Sequence, residues 1–477
     1  MTVEFRKVRQ SRPTTPALVD ILAAAAPEPL RDKISTTPAW RTDYAPLLAE
    51  VTSASAQSTA LAHTMAEAGL ASARRNLVWD DTSSERPLTE VELGADHEWM
   101  PETAVVTGSA TAITELRVPY RGRELRGHEL LDQLDSWVSE GLAEPSFRDA
   151  IAQVVANSQW LRAPGQRIAL IGAGAELSPL APLLSWGADV AAIEIAIPAV
   201  WERIAEIARD SAGTVRWSLR PDGEPGMDVT ADLHEVAAWL RANGDIPLVL
   251  GMYAYADRGA HVRVTMAIDL LAEYLCQQDP RTALAYLATP TDAFVVPPEV
   301  VDAGKAAWRD RGPRQFLDTP ARMLSGGRLF KPSYATVHED GSGVADILVP
   351  AQGPNYALAK RLQRWRGVCA GAAGHRVSFN VAPASWTRSV TRNRALAAAY
   401  GGAHHFDVEV FEPDTCRALM AALLVHDLHQ PAPTRRHPEE LFSDQALHGG
   451  LWRAAYEPKS ALGFAAVLGA RHGRVAN

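Results

Sequence analysis

The chain has 477 residues, 47% of them hydrophobic, with 47 Lys and Arg against 56 Asp and Glu and a formal net charge of −9. That length and hydrophobic content exclude a mostly disordered chain and provide for a large core, while the acidic balance, with no basic block, excludes an electrostatic nucleic-acid footprint. Three widely spaced cysteines, Cys276, Cys369 and Cys416, form no Cys-x-x-Cys pair, which disfavours a disulfide framework or thiolate zinc site and fits a reducing, cytoplasmic setting.

Residues 1–160 read as a mostly helical accessory domain with no motif that carries chemistry, a lid or a surface for a homo-oligomer. The apolar stretch Ala17–Ala26 contains Asp20 and is closed by Pro27, Glu28 and Pro29. It is too short and broken for a signal peptide or membrane span, so a short amphipathic helix and no membrane partner are expected. Ala-rich helical patterning covers residues 47–77, and a polar loop covers 80–87. Thr103–Thr107 and Glu115–Pro119 alternate apolar and polar residues around Thr107-Gly108-Ser109 and predict a strand pair, followed by a helix over 129–138.

From Arg167 the pattern alternates strand and helix. Apolar runs at 168–171, 188–193, 214–219, 247–251 and 282–288 predict strands, with helices over 197–208, 233–240 and 262–275 between them. Such alternation predicts an α/β fold with a doubly wound parallel sheet over residues 161–430, because helices then cover both sheet faces. Residues 297–345, rich in Pro, Gly and charge, interrupt the rhythm and predict an inserted lid or subdomain. Residues 431–477, with a helix over 459–468, predict a tail covering the substrate side.

After the insertion, Tyr356 and Lys360 stand four apart on a predicted helix and share a face. A phenol titrates near ~10 in water, and a fixed ammonium nearby stabilises its phenolate by ~2–4 kcal/mol, so such a tyrosine can exchange a proton with a carbonyl or alcohol oxygen. The bare pattern also arises from a packed tyrosine beside a solvated lysine. Leu358, Leu362, Trp365 and Cys369 form an apolar stripe on this helix, a strand follows at 376–381, and Pro383-Ala-Ser-Trp-Thr387 lies 27 residues beyond Tyr356.

This segment resembles the catalytic helix and following strand of the short-chain dehydrogenase/reductase family, in divergent and enlarged form, over about residues 167–410. The resemblance implies a Rossmann-type, NAD-dependent oxidoreductase with Tyr356 as acid/base and Lys360 both tuning it and holding the nicotinamide ribose. It implies Thr289 or Thr291 in place of the family's substrate-orienting serine, and Asp269 near the position of its active-site asparagine. Pro383 and Thr387 would meet the nicotinamide half, Ala384 standing where the family has glycine. Asp228 and Val229 would receive the adenine edge, with Gly251 also in the cofactor set. The enlarged form is similar to the ketoreductase units of fatty-acid synthase chains, which makes a 3-oxoacyl thioester one candidate substrate.

Gly172 and Gly174 follow the first predicted strand and suit close approach of backbone to a pyrophosphate, but Glu176 and Ser178 replace the family's further glycines. Pro179 and Pro182 predict a shifted or irregular helix start. Glu194 lies 22 residues beyond Gly172, where an acid binds an adenosine ribose; it favours NAD over NADP, because a 2'-phosphate would meet like charge. The same acid suits S-adenosylmethionine, which has no phosphates for Glu176 to repel, so a methyltransferase is the first alternative. A non-catalytic Rossmann-like binding protein is the second, and an isomerase, dehydratase or epimerase with tightly held NAD the third. His404-His405, His426-x-x-His429 and His448 lack supporting Cys or carboxylate spacing, and no metal is expected.

Overall fold

The computed structural model describes residues 1–8, 11–81, 84–94, 98–242, 244–349, 352–431 and 433–470. Its centre is a seven-stranded sheet made from short apolar runs: β1 (Glu102–Thr107), β2 (Arg167–Ile171), β3 (Asp189–Ile193), β4 (Thr214–Leu219), β5 (Leu248–Met252), β6 (Ala283–Ala288) and β7 (Val377–Val381). The order across the sheet is β7-β6-β5-β2-β3-β4-β1. All neighbours are parallel except β1, which runs antiparallel to β4 with Val105 opposite Arg216. Every residue of β2 and β5 is buried, as expected of parallel strands covered on both faces.

The helices that bear on the site are α1 (Thr59–Asn76), α2 (Leu180–Ser185), α3 (Pro198–Arg209), α4 (Leu233–Ala242), α5 (Gly259–Gln278), α6 (Pro298–Arg309), α7 (Gln315–Leu324), α8 (Pro354–Ala372), α9 (Arg394–Gly401), α10 (Pro413–His429) and α11 (Pro458–Gly469), of which α5, α8 and α10 pack on the sheet and α6 and α7 belong to the insertion. No described helix is long and apolar enough to cross a membrane. Successive strands leave β2 in opposite directions across the sheet, toward β3 on one side and β5 on the other. Past their close approach at Gly172 and Ala254, the connections that follow β2 and β5 therefore run to opposite sides and leave a crevice at the carboxyl ends of the strands.

Residues 1–160 do not stand apart as an accessory domain. Their helices from Ala17 to Ala73 share one continuous core with α5, α8 and one face of the sheet, while Leu116–Leu161 packs on the opposite face with α10. The physical reason is that each sheet face is apolar and needs a cover longer than the interstrand helices provide. The join is close: a Cβ on Gly69 of α1 would lie 2.3 Å from Cζ3 of Trp365 on α8. The expected strand pair in this region also rearranges. Residues 102–107 form the sheet's edge strand, and Val118–Tyr120 pairs instead with Arg123–Leu125. The insertion has a two-stranded stem, Ala293–Val296 against Gly343–Asp346, and carries α6 and α7 beyond it.

Candidate functional site

A cleft of about 1240 Å³ runs along the crevice, bordered at one end by Gly172, Gly174, Glu194, Asp228 and Val229 and at the other by Thr289, Thr291, Tyr356, Lys360, Pro383 and Thr387. Residues expected to serve two halves of one ligand, drawn from positions as far apart as 172 and 387, thus border one space.

At the first end the backbone is tightly folded. Gly172 has φ +82°, and a Cβ there would lie 2.4 Å from the amide nitrogen of Ala254, so only glycine lets the β2 and β5 loops approach this closely. The amides of Gly174 and Ile195 each donate to one oxygen of Glu194 at 3.0 Å. Burial pushes the Glu194 carboxyl above the ordinary range, with the two amide bonds and the Arg203 charge opposing it. Arg203 also donates to the Gly174 carbonyl at 2.6 Å. Asp228 accepts from the Thr230 amide at 2.8 Å and hydroxyl at 2.7 Å, which fixes the turn that brings Val229 to the cleft.

These residues fit an adenosine. Glu194 retains acceptor capacity for ribose hydroxyls beyond its two amide bonds. The diphosphate part departs from the expected arrangement, because the Gly174 amide is engaged by Glu194 and α2, only six residues long, begins at Leu180. Positive charge along this stretch comes from Arg203 and Arg388, both bordering the cleft. Glu176 is turned aside: it accepts from the Arg388 amide at 2.9 Å and sits 3.7 Å from the Arg388 Nε. Its carboxylate thus ties the β2 loop to the segment after β7.

At the second end, the Thr289 and Thr291 hydroxyls are 2.9 Å apart and Gln352 donates to Thr291 at 2.6 Å. Tyr356 is half-buried. Burial pushes its phenol well above its ordinary range, and a hydrogen bond with Thr289 opposes this. Lys360 sits 5.8 Å from the Tyr356 ring centroid and donates to the Leu287 carbonyl at 3.1 Å and Gln363 at 3.3 Å. Burial lowers its ammonium to about 8 against the pull of Asp292. Desolvation, with no opposing contribution from Lys360, dominates the Tyr356 phenol and favours its neutral form.

His261, which sequence patterning did not single out, lies directly against this group. Its ring stacks on that of Tyr356 at 5.3 Å and 10°, with Tyr255 completing the cluster. The side chain is 1% exposed, and its Nδ1 accepts from the Ala256 amide at 3.3 Å. That bond assigns the ring proton to Nε2, which has no hydrogen-bond partner among the described residues. Burial first, then the Lys360 charge, lowers His261 to about 3, so the imidazole is neutral at physiological pH. A lone histidine in an amphipathic helix carries no sequence signal for this contact.

Two expected site residues lie elsewhere. Asp269 is buried between Arg366 at 2.6 Å and Arg74 at 2.7 Å, an ion cluster joining α5, α8 and α1. Its carboxylate is held below the usual range against burial by those two cations, and it does not border the cleft. Gly251 is enclosed in the sheet, where a Cβ would meet the Tyr253 ring at 2.8 Å and Leu170 at 3.1 Å; its role is packing between strands. Thr387 does border the cleft, its hydroxyl 3.0 Å from that of Ser389. Among the described residues no group of three or more His, Cys, Asp or Glu is placed to hold a metal ion.

The same cleft has an apolar chamber walled by Leu396, Ala399, Tyr400, Leu451, Leu462 and Ala465. Here α9 and α11 cross at backbone contact, since a Cβ on Gly402 would fall 1.9 Å from the Ala465 carbonyl. No family model matches the chain, and no curated protein sequence does.

Proposed function

We propose that this protein is an NAD-dependent oxidoreductase of short-chain dehydrogenase/reductase type that reduces a carbonyl group borne on an apolar, acyl-like substrate. The observation that carries this reading is the single cleft joining Glu194 and Asp228 to Thr289, Tyr356 and Lys360 at the carboxyl edge of a parallel sheet. Glu194 and Asp228 would hold the adenosine half, Arg203 and Arg388 would neutralise the phosphates, and Pro383 and Thr387 would flank the nicotinamide half. When bound, the dihydronicotinamide supplies the hydride.

The chain's own residues supply the proton and the orientation. Tyr356 keeps its proton at neutral pH because burial disfavours the phenolate, which suits it to donate to a carbonyl oxygen as that oxygen gains negative charge. Thr289, bonded to the phenol, is placed to orient the same oxygen. His261, neutral and stacked, fixes the plane of the Tyr356 ring without competing for its proton. The chamber excludes water and accepts an apolar chain, which makes an acyl thioester a suitable substrate class.

Tryptophan-fluorescence titration with NADH, NADPH and S-adenosylmethionine tests the cofactor assignment. NADH is expected to bind more tightly than NADPH, and Glu194→Ala to weaken it by about tenfold, the loss of one charge-assisted hydrogen bond. Binding of S-adenosylmethionine with neither nicotinamide cofactor overturns the proposal in favour of a methyltransferase. That second reading is favoured by the engaged Gly174 amide and the late start of α2, which leave no helix terminus for a diphosphate. It requires the binding to be indifferent to Lys360→Ala.

A further inference from the structure

Helix α7 in the insertion is turned inside out. Among its described side chains the buried one is Asp318, 4% exposed, which accepts the Tyr456 hydroxyl and pairs with Arg311 at 3.0 Å. Phe316, Met323 and Leu324 stand 76%, 77% and 90% exposed. With the exposed Pro320 they occupy positions i, i+4, i+7 and i+8, an apolar stripe at helical spacing that faces solvent. Helix α11 carries a second exposed stripe, Phe464, Val467 and Leu468, and Phe464 packs on Phe330, in the insertion after α7, at 4.5 Å.

The charge around these stripes has the opposite sign to the molecule. Residues 305–331 hold seven Lys and Arg against two Asp in a chain of net charge −9. One of those two, Asp318, is buried and already paired, while Arg309, Arg328 and Lys331 are exposed. The exposed acid within this stretch is Asp310; Glu299 and Asp302 are exposed earlier on α6, and Glu457 lies 3.8 Å from Lys331.

We propose that this face docks on an anionic lipid surface, with Phe316, Met323 and Leu324 entering the headgroup–acyl boundary and Arg309 and Arg328 meeting the phosphates. Apolar side chains that stand this far out form a ridge, which a fluid interface accommodates without a preformed groove. A second copy is disfavoured because two such cationic rims would face each other across a two-fold axis. The surface charge of an anionic leaflet instead attracts each exposed cation. The docked helix α11 also walls the apolar chamber, so the cleft would sit beside the bilayer.

Co-sedimentation of the full chain with vesicles of phosphatidylcholine alone, or with about 30% phosphatidylglycerol, tests this. The protein is expected to pellet with the mixed vesicles, to bind at least ~10-fold less to the neutral ones, and to be released as salt is raised to about 0.5 M. Phe316→Ser/Met323→Ser/Leu324→Ser should lose that binding by at least ~10-fold while keeping the wild-type melting temperature, since these groups are exposed in the folded state. The proposal is overturned if wild type does not pellet with mixed vesicles, or if the triple variant pellets equally. It is also overturned if wild type is a dimer that the triple variant splits and neither binds vesicles. NADH titration of the same samples reads the cleft independently.

Discussion

The pairing of Tyr356 with Thr289, rather than with the more distant Lys360, decides what each group can do. Tyr356→Phe removes the proposed acid while leaving ring and packing in place. The expected result is a loss of about 10²–10⁴ in kcat with NADH affinity unchanged; full turnover in Tyr356→Phe would remove the residue from the mechanism. Lys360 makes a pH-dependent contribution with a definite sign. Its folded pKa of about 8 lies below the unfolded value of 10.5, so between these the native state has released a proton that the unfolded state still binds. Its contribution to stability therefore rises with pH across that window and is lowest below 8, where the ammonium is desolvated. Thermal melts should show Lys360→Met gaining more stability over wild type at pH 7 than at pH 10. A gain independent of pH would mean that folding does not lower the Lys360 pKa, and the buried, weakened ammonium would be wrong. Glu194 was legible from its interval to Gly172, because strand and loop lengths fix that spacing. His261 was not, because its meeting with Tyr356 depends on how α5 and α8 pack.

Elements buried on both sides announce themselves in sequence, and those defined by a distant partner do not. The β2 run after Arg167 and the whole of β5 are apolar, so their strand character could be read directly, whereas β1 alternates and could pair with any edge. Its partner β4 lies more than a hundred residues on, and nothing local distinguishes that choice from the nearer hairpin. Helix α10 was missed for the opposite reason: it is apolar nearly all round and shows no face. Asp269 matched a catalytic position by count along α5, but the count cannot see Arg74 and Arg366 closing on it. Asp269→Ala would leave two buried guanidinium groups short of a carboxylate, and a loss of about 3–5 kcal/mol of stability is expected in denaturant unfolding. A catalytic role predicts the reverse, full stability with lost turnover. The α9–α11 crossing is set by backbone contact, so Gly402→Val should cost about 1–3 kcal/mol or more through overpacking and loosen the chamber wall.

At the scale of the whole molecule, the first 160 residues complete both faces of the sheet that positions the cleft. The segment from Val3 to Leu88 contributes to the core shared with α5 and α8, and the segment from Leu116 to Leu161 to the core shared with α10. Ion pairs reinforce the first of these joins: Arg74 of α1 meets Asp269, and Ser55 donates to Glu439, which also pairs with Arg364 of α8. The helix carrying Tyr356 and Lys360 is therefore held on one side by groups that sequence patterning assigned to a separate accessory unit. Removing that unit would expose Trp365 and the apolar stripe of α8 to water and leave the buried Asp269 with one cation, Arg366, instead of two, a penalty spread over the whole face rather than confined to a boundary. Calorimetry on the full chain is expected to show one cooperative transition. Residues 161–477 expressed alone should give no cooperative melt and no NADH response, even though they contain every residue assigned to the cleft. Should that fragment melt cooperatively and titrate with NADH as the full chain does, the first 160 residues would be an appendage after all, and the shared core would not be what holds α8 in place.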